Sequence, residues 1–260
     1  MPLQIDVAFL PLELLAPDQT VAIVVDVIRA STSIVTLFDQ GCPAIYVAPG
    51  LDAGRVFART HGLLLCGEQG GARPEGFDFG NSPAEFAAQR FDQRAAVICT
   101  TNGTVALRSI AASPAIFVGC LANAAAVAAA AVAAARSVGS LTVVCAGSFR
   151  HVALDDVWTA GRLARLASEL LGAEAKLTDA ARIAIALTDA MPDGLTALRS
   201  SRSARALVPL GLNADVAYAA QEDRSRVAPR LVGKEEEAEH PLLLVAGEPL
   251  PARTARQVSP

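Results

Sequence analysis

The chain has 260 residues and is 52% hydrophobic, enough apolar material for one large α/β core or two small ones. A net charge of -4 and a pI near 5.4 argue against nucleic-acid binding, which normally leaves a basic footprint. Of the 22 basic residues only Lys176 and Lys234 are lysines, so an anion site must lean on arginine and backbone N–H groups.

In chain order, short runs rich in Val, Ile and Leu occur at Val21–Val25, Ala44–Val47, Leu63–Cys66, Ala95–Cys99, Ala115–Val118 and Leu141–Cys145. Their length and punctuation predict buried strands. Segments of helical character alternate with them: Ser31–Gln40, Ser82–Arg90, Val105–Ala111, Ala122–Arg136 and Asp155–Leu171. The alternation predicts an α/β chain, a three-layer α/β/α fold around a mixed, mostly parallel sheet. Asp179–Thr188 reads as another helix, Arg199–Gly211 with Ala214–Glu222 as a helix pair, and Leu242–Val245 as a late edge strand. Lys234–His240 reads as a solvated charged segment, and the chain past Pro251 as a frayed tail. No repeat or linker divides the sequence, so residues 1–250 are expected to form one domain and 251–260 a flexible tail.

The first residues carry no basic segment followed by a long apolar run. The most apolar stretch, Leu121–Ala135, is mostly alanine and contains Asn123. Neither a secretory signal nor a membrane span is expected, and the chain reads as soluble and cytoplasmic. Cys42, Cys66, Cys99, Cys120 and Cys145 form no C-x-x-C pair and read as buried free thiols of a reducing compartment.

Four apolar runs end abruptly in polar residues. Val21–Val25 leads into Asp26, Arg29, Ser31, Thr32 and Ser33; Leu63–Cys66 into Gly67 and Glu68. Ala95–Cys99 leads into Thr100, Thr101, Asn102, Gly103 and Thr104; Leu141–Cys145 into Ala146, Gly147 and Ser148, with Asp155 and Asp156 beyond. Ligands of open α/β sheets bind beyond the carboxyl ends of the strands, so parallel strands would gather these groups on one rim. There Asp26 can hold Mg²⁺, Arg29 can clamp a phosphate oxygen, and Ser31–Ser33 can cap a helix whose free N–H groups favour an anion. Taken alone, capping and an ion pair explain that segment better than a site does. The Thr100–Thr104 turn suits a phosphate cradle and an Asn-Gly turn equally. Ser82 with Pro83 and Glu85 has the pattern of a helix cap, which accounts for Asn81–Pro83, while Glu68, Arg73 and Asp78 share one irregular loop that a substrate-facing role would explain. Asp155 and Asp156 alone read as favourable charge at a helix start. His61, His151 and His240 show no metal-ligand spacing.

Several phosphate chemistries are excluded. Ile28 stands two residues after Asp26, where a haloacid-dehalogenase motif needs a carboxylate. Arg150 falls one residue short of a C-x5-R loop from Cys145, and Val105 stands where Cys99 would need arginine. Neither a P-loop nor a G-x-S-x-G sequence is present.

Asp26-Val-Ile-Arg-Ala-Ser-Thr-Ser33, Gly67-Glu68, Gly76-Phe-Asp-Phe-Gly-Asn-Ser-Pro83, Thr100-Thr-Asn-Gly-Thr104, Leu121-Ala-Asn123 and Cys145-Ala-Gly147 with Asp155-Asp156 together resemble the 2-phosphosulfolactate phosphatase (ComB-like) family. The likeness spans roughly residues 5–220, and the Gly211 and Asp215 segment resembles the family's C-terminal part. Ser31 and Ser33 stand where threonines are expected, Cys99 where a third threonine is common, and Asp155 where Glu is expected. The resemblance implies Mg²⁺-dependent hydrolysis of 2-phospho-3-sulfolactate, or a related small anionic phosphate ester, to sulfolactate and phosphate (EC 3.1.3.71). That step belongs to coenzyme M biosynthesis where it was defined. Asp26, Glu68 and Asp155 are then the expected metal ligands, and Asp26, Arg29 and Asp156 the expected catalytic groups. Substrate contacts are expected from Ser31, Thr32, Arg73, Asn81, Thr100, Thr101, Asn102, Gly103, Thr104, Asn123 and Arg150, with Arg73 or Arg150 receiving a second anion. A phospho-metabolite binding protein without catalysis is the alternative; a Rossmann-like nucleotide enzyme is disfavoured because no G-x-G-x-x-G follows the first run. A homo-oligomer is compatible with a compact metabolic enzyme, although no residue pattern demonstrates it.

Overall fold

The computed structural model describes residues 2–232 and 241–247. The expected charged segment at 234–240 and the tail at 251–260 lie outside the described residues.

The predicted strands form close to their expected limits: β2 (Val21–Val25), β3 (Ile45–Val47), β4 (Leu64–Gly67), β5 (Ala96–Cys99), β6 (Ile116–Gly119) and β7 (Ser140–Cys145). Three more join them: β1 (Leu3–Ala8), β8 (Ala175–Leu177) and β9 (Arg230–Val232). With β10 (Leu242–Val245) they make one ten-stranded sheet in the order β4-β5-β3-β10-β9-β6-β2-β7-β1-β8. β10 is therefore not an edge strand as expected; β3 and β9 flank it, both antiparallel. An isolated four-residue apolar run does not show which neighbours it will have.

Helices cover both faces. α5 (Ala124–Ala135), α6 (Leu154–Leu171) and α7 (Asp179–Ala190) pack on the face that buries Val21, Ile23 and Val25. α1 (Ala30–Asp39), α3 (Pro83–Ala87) and α4 (Gly103–Ser109) pack on the opposite face, which buries Ala22 and Val24. This strict alternation along β2 is the period of two that a sheet buried on both faces requires. α2 (Leu51–His61) covers Leu65, Val97 and Cys99 on the outer side of β4 and β5. α8 (Gly194–Arg199), α9 (Arg202–Leu207) and α10 (Asn213–Ala219) close one end. The expected helix over Arg199–Gly211 divides at Ser200–Ser201, where the Ser201 hydroxyl caps α9 by accepting from the Ala204 N–H. The fold is α/β/α around a mixed, mostly parallel sheet. Among the described residues no helix is long and apolar enough to cross a membrane.

The strand directions differ from the simplest expectation of one parallel rim. β6, β2, β7, β1 and β8 are mutually parallel, as are β3, β5 and β4. The two sets join through three antiparallel junctions at β9 and β10, which reverse the direction between them. Right-handed twist of ~20–25° per strand accumulates across those junctions. Val24 and Val118 from one set share a core with Val47 and Ile98 from the other, together with Ile34 of α1 and Leu107 of α4. The sheet thus curls over α1 and α4, and the carboxyl ends of β2 and β5 meet.

Candidate active site

Asp26 stands at the end of β2, 7% exposed. Its N–H donates to the Ser31 hydroxyl at 2.8 Å, and its Oδ1 accepts from the Ala30 N–H at 3.4 Å. The carboxylate, not the expected serines, therefore faces the start of α1. Thr32 donates to the Val27 carbonyl and Ser33 to the Asn81 carbonyl. Gly103, at the end of the β5 turn, closes on the same group: a Cβ added there would stand 3.1 Å from Asp26 Oδ2 and 3.0 Å from the Ala30 Cβ. A side chain there would press on both neighbours, and the Gly103 N–H donates to Asp26.

Glu68 leaves β4 and reaches the same turn. Its Oε1 accepts from the Thr101 N–H at 2.8 Å and the Thr101 hydroxyl at 2.7 Å; its Oε2 accepts from the Gly71 N–H at 2.8 Å. Thr100 Oγ1 accepts from the Thr104 N–H at 3.3 Å, and Asn102 Oδ1 from the Phe149 N–H at 3.2 Å. Arg29 is buried and donates to Asp215 Oδ2 at 3.0 Å and to the Gly71 carbonyl at 2.5 Å.

Asp155 and Asp156 begin α6. Asp156 is buried between two loops, accepting from the Val27 N–H at 3.0 Å and the Gly147 N–H at 2.9 Å. Asp155 accepts from the Ser203 hydroxyl at 3.1 Å. Burial, then the charge of Asp155, pushes the Asp26 carboxyl up to about 7 against the pull of the Ala30 and Gly103 N–H groups. Burial raises Asp155 to about 6, and burial with the charges of Asp155 and Asp26 holds Asp156 well above the ordinary carboxylate range. Three carboxyl groups thus sit within one another's field, where a cation or protons must offset them.

Asp26, Arg29, Glu68, Asn81, Thr100, Thr101 and Asn102 line a cleft of ≈ 150 Å³ together with Ser148, Phe149 and Ser203. Asp155 and Asp156, expected as metal ligand and catalytic group, are buried and do not line it; burial at the start of α6 sets them behind Asp26. The cleft is smaller than the ~300–1,000 Å³ of drug-sized ligand pockets, so it suits a compact ester. Wider depressions of ≈ 620 and ≈ 820 Å³ flank α2 but hold none of these groups. Asn81 is buried in the cleft wall, and its Oδ1 has no hydrogen-bond partner.

The other sequence candidates lie elsewhere. Ser31, Gly103 and Thr104 stand behind the cleft against Asp26. Thr32 and Asn123 are fully buried, and Asn123 bonds to backbone at Cys120, Val118 and Val227. Arg73 is exposed and donates to the Asp78 carbonyl, while Asp78 pairs back onto Leu65 of β4. That loop therefore covers the sheet edge, which accounts for Arg73 and Asp78 without a substrate. Arg150 is exposed at the tip of a tight turn between Ser148 and His151. Ser82 caps α3 as expected, accepting from the Glu85 N–H at 3.1 Å. Asp215, Ser203 and Phe149 were given no role by the sequence; only Asp215 carried a signal, as part of a family-like segment.

A family model described as 2-phosphosulpholactate phosphatase matches residues 10–234. A protein of Thermus thermophilus named "Probable 2-phosphosulfolactate phosphatase" is 40% identical over 242 residues, covering 92% of this chain and 98% of that one. One of Deinococcus radiodurans with the same name is 39% identical over 229 residues, covering 87% and 94%. One of Gloeobacter violaceus, also so named, is 35% identical over 214 residues, covering 80% and 87%. With a family match over most of its length and relatives this similar, the chain belongs to the 2-phosphosulfolactate phosphatase family.

Proposed function

We propose that the protein is a Mg²⁺-dependent phosphatase that hydrolyses 2-phospho-3-sulfolactate, or a related small polyanionic phosphate ester, to sulfolactate and phosphate. The observation that carries this reading is the meeting of Asp26, Arg29 and the Thr100–Asn102 turn in one compact cleft. A cytoplasmic location is part of the proposal, because five buried free thiols suit a reducing compartment.

The donor set fits Mg²⁺. Its groups are hard oxygens, and the repulsion among Asp26, Asp155 and Asp156 falls when a cation joins them. Among the described residues no three histidine, cysteine or carboxylate groups converge to hold a metal ion. Mg²⁺ commonly takes one or two carboxylates and completes its shell with water and phosphate, so Asp26, the one of these three aspartates that lines the cleft, would hold it. Bound there, the ion supplies charge neutralisation at the phosphoryl oxygens and a site that orients water.

The chain's own residues do the rest. Arg29 places guanidinium N–H groups at the cleft, where charge grows on the transferring phosphoryl group. Thr100 and Asn102, which line the cleft beside Asp26, orient the phosphate. Glu68 holds their turn in place by its two bonds to Thr101. Asp156 fixes the β2 and β7 loops against each other and so sets Asp26 beside Asp155.

The test is phosphate release from a panel of phosphomonoesters, phosphosulfolactate among them, with Mg²⁺ and with excess EDTA. Full activity in EDTA, or unchanged release by Asp26→Ala, would refute this mechanism. Tight binding of phosphosulfolactate without turnover would instead favour a binding protein.

A further inference from the structure

Asp215 lies on α10, far along the chain from the residues it meets. Its side chain is 1% exposed, yet its carboxylate makes three bonds, one to Arg29 of the cleft and two to the start of α3. Oδ2 accepts from Arg29 Nη1 at 3.0 Å, and Oδ1 accepts from the Ser82 hydroxyl at 2.5 Å and the Ala84 N–H at 3.3 Å. The bonding continues beyond Arg29. Arg29 Nη2 donates to the Gly71 carbonyl at 2.5 Å, and the Gly71 N–H donates to Glu68 Oε2 at 2.8 Å. Glu68 Oε1 then accepts from the N–H and hydroxyl of Thr101. One hydrogen-bonded chain thus runs from α10 through the guanidinium to the polar turn after β5.

We propose that Asp215 is a positioning residue: it fixes the Arg29 guanidinium and, through Gly71 and Glu68, the Thr101 turn, in the arrangement that receives a phosphate group. This rests on the reading of the cleft as a phosphoryl-transfer site. An arginine free in solvent loses rotamer entropy when it binds; one held along two edges has already lost it on folding. A guanidinium has five N–H donors, so the two bonds shown leave others for a ligand. The competing view is structural: Asp215 only neutralises a buried cation and joins α10 to α3.

Guanidinium rescue separates the two. Arg29→Ala is expected to weaken both inorganic-phosphate binding, read by calorimetry, and phosphate release from a phosphomonoester. Added guanidinium ion should refill the space between Asp215 and Gly71 and recover both by about tenfold or more. The double variant Arg29→Ala with Asp215→Ala removes both charges, orphans neither, and is therefore expected to fold. There guanidinium should restore nothing. Equal rescue with and without Asp215 overturns the proposal, as does wild-type phosphate affinity in Arg29→Ala. Phosphate binding that follows the expected pattern while no ester is hydrolysed overturns the phosphatase reading and leaves the positioning role standing.

Discussion

Asp26, Asp155 and Asp156 carry a pH dependence whose sign can be worked out. Each carboxyl has a pKa raised by burial, Asp26 from 3.8 to about 7 and Asp155 to about 6. Such a group binds more protons in the folded chain than in the unfolded one, so stability falls as pH rises. For Asp26 the window opens at about 4, where an unfolded aspartate ionises, and closes near 7, where the folded group does. In the absence of divalent cations the melting temperature is expected to be higher at pH 5 than at pH 8, with Asp26→Asn narrowing the gap. A melting temperature that rises across this range would contradict the repulsive arrangement. Mg²⁺ is expected to stabilise more at pH 8 than at pH 5, because it binds ionised carboxylates. Asp26→Asn is also expected to lower kcat by ~10²–10⁴-fold, the scale of a lost proton-transfer or charge-stabilising group, in steady-state assays with Mg²⁺.

At the scale of elements, local preference and packing oppose each other at Gly161 in α6. Helix propensity favours Gly161→Ala by ~1 kcal/mol. The added Cβ would stand 2.1 Å from the Ala184 carbonyl oxygen of α7, against backbone that cannot give way cheaply. Packing wins that contest, and the variant is expected to lose ~1–3 kcal/mol in a urea titration. Ser82→Ala removes the α3 cap and a donor to Asp215 together, an expected loss of ~1–3 kcal/mol with a fall in activity, read by melting and turnover in parallel. The cap was legible because Ser, Pro and Glu stand at fixed offsets within one turn. α2 was not, because Leu51–His61 mixes charged residues with only a narrow apolar stripe. β1 alternates buried and partly exposed residues, and β8 has three residues; neither makes the solid apolar run by which the other strands were recognised.

Across the whole molecule, the β9–β10 pair joins two parallel sets of strands whose carboxyl ends build one cleft. Leu244, fully buried on β10, belongs to the core that both sets share. Leu244→Ala is expected to cost ~2–5 kcal/mol in the urea midpoint. Activity should be lost at the same urea concentration as structure, since the site exists only where the two sets meet. Retained activity after the core has melted would show that one set alone can hold the cleft.

The amino-acid sequence by itself determined the alternation of strands and helices, the polar residues at the strand ends, and the motifs that mark the family. These are local properties, set by periodicity, capping chemistry and residue type. Tertiary structure decided the rest. Only the curl of the sheet brings Gly103 against Asp26 across two oppositely directed strand sets. Burial, not composition, raises three aspartate pKa values together. The pairing of Arg29 with Asp215 joins residues 186 positions apart, and no spacing along a chain encodes such a contact. It exists because α10 packs against α3 and brings Asp215 to Arg29, where a buried guanidinium needs a carboxylate.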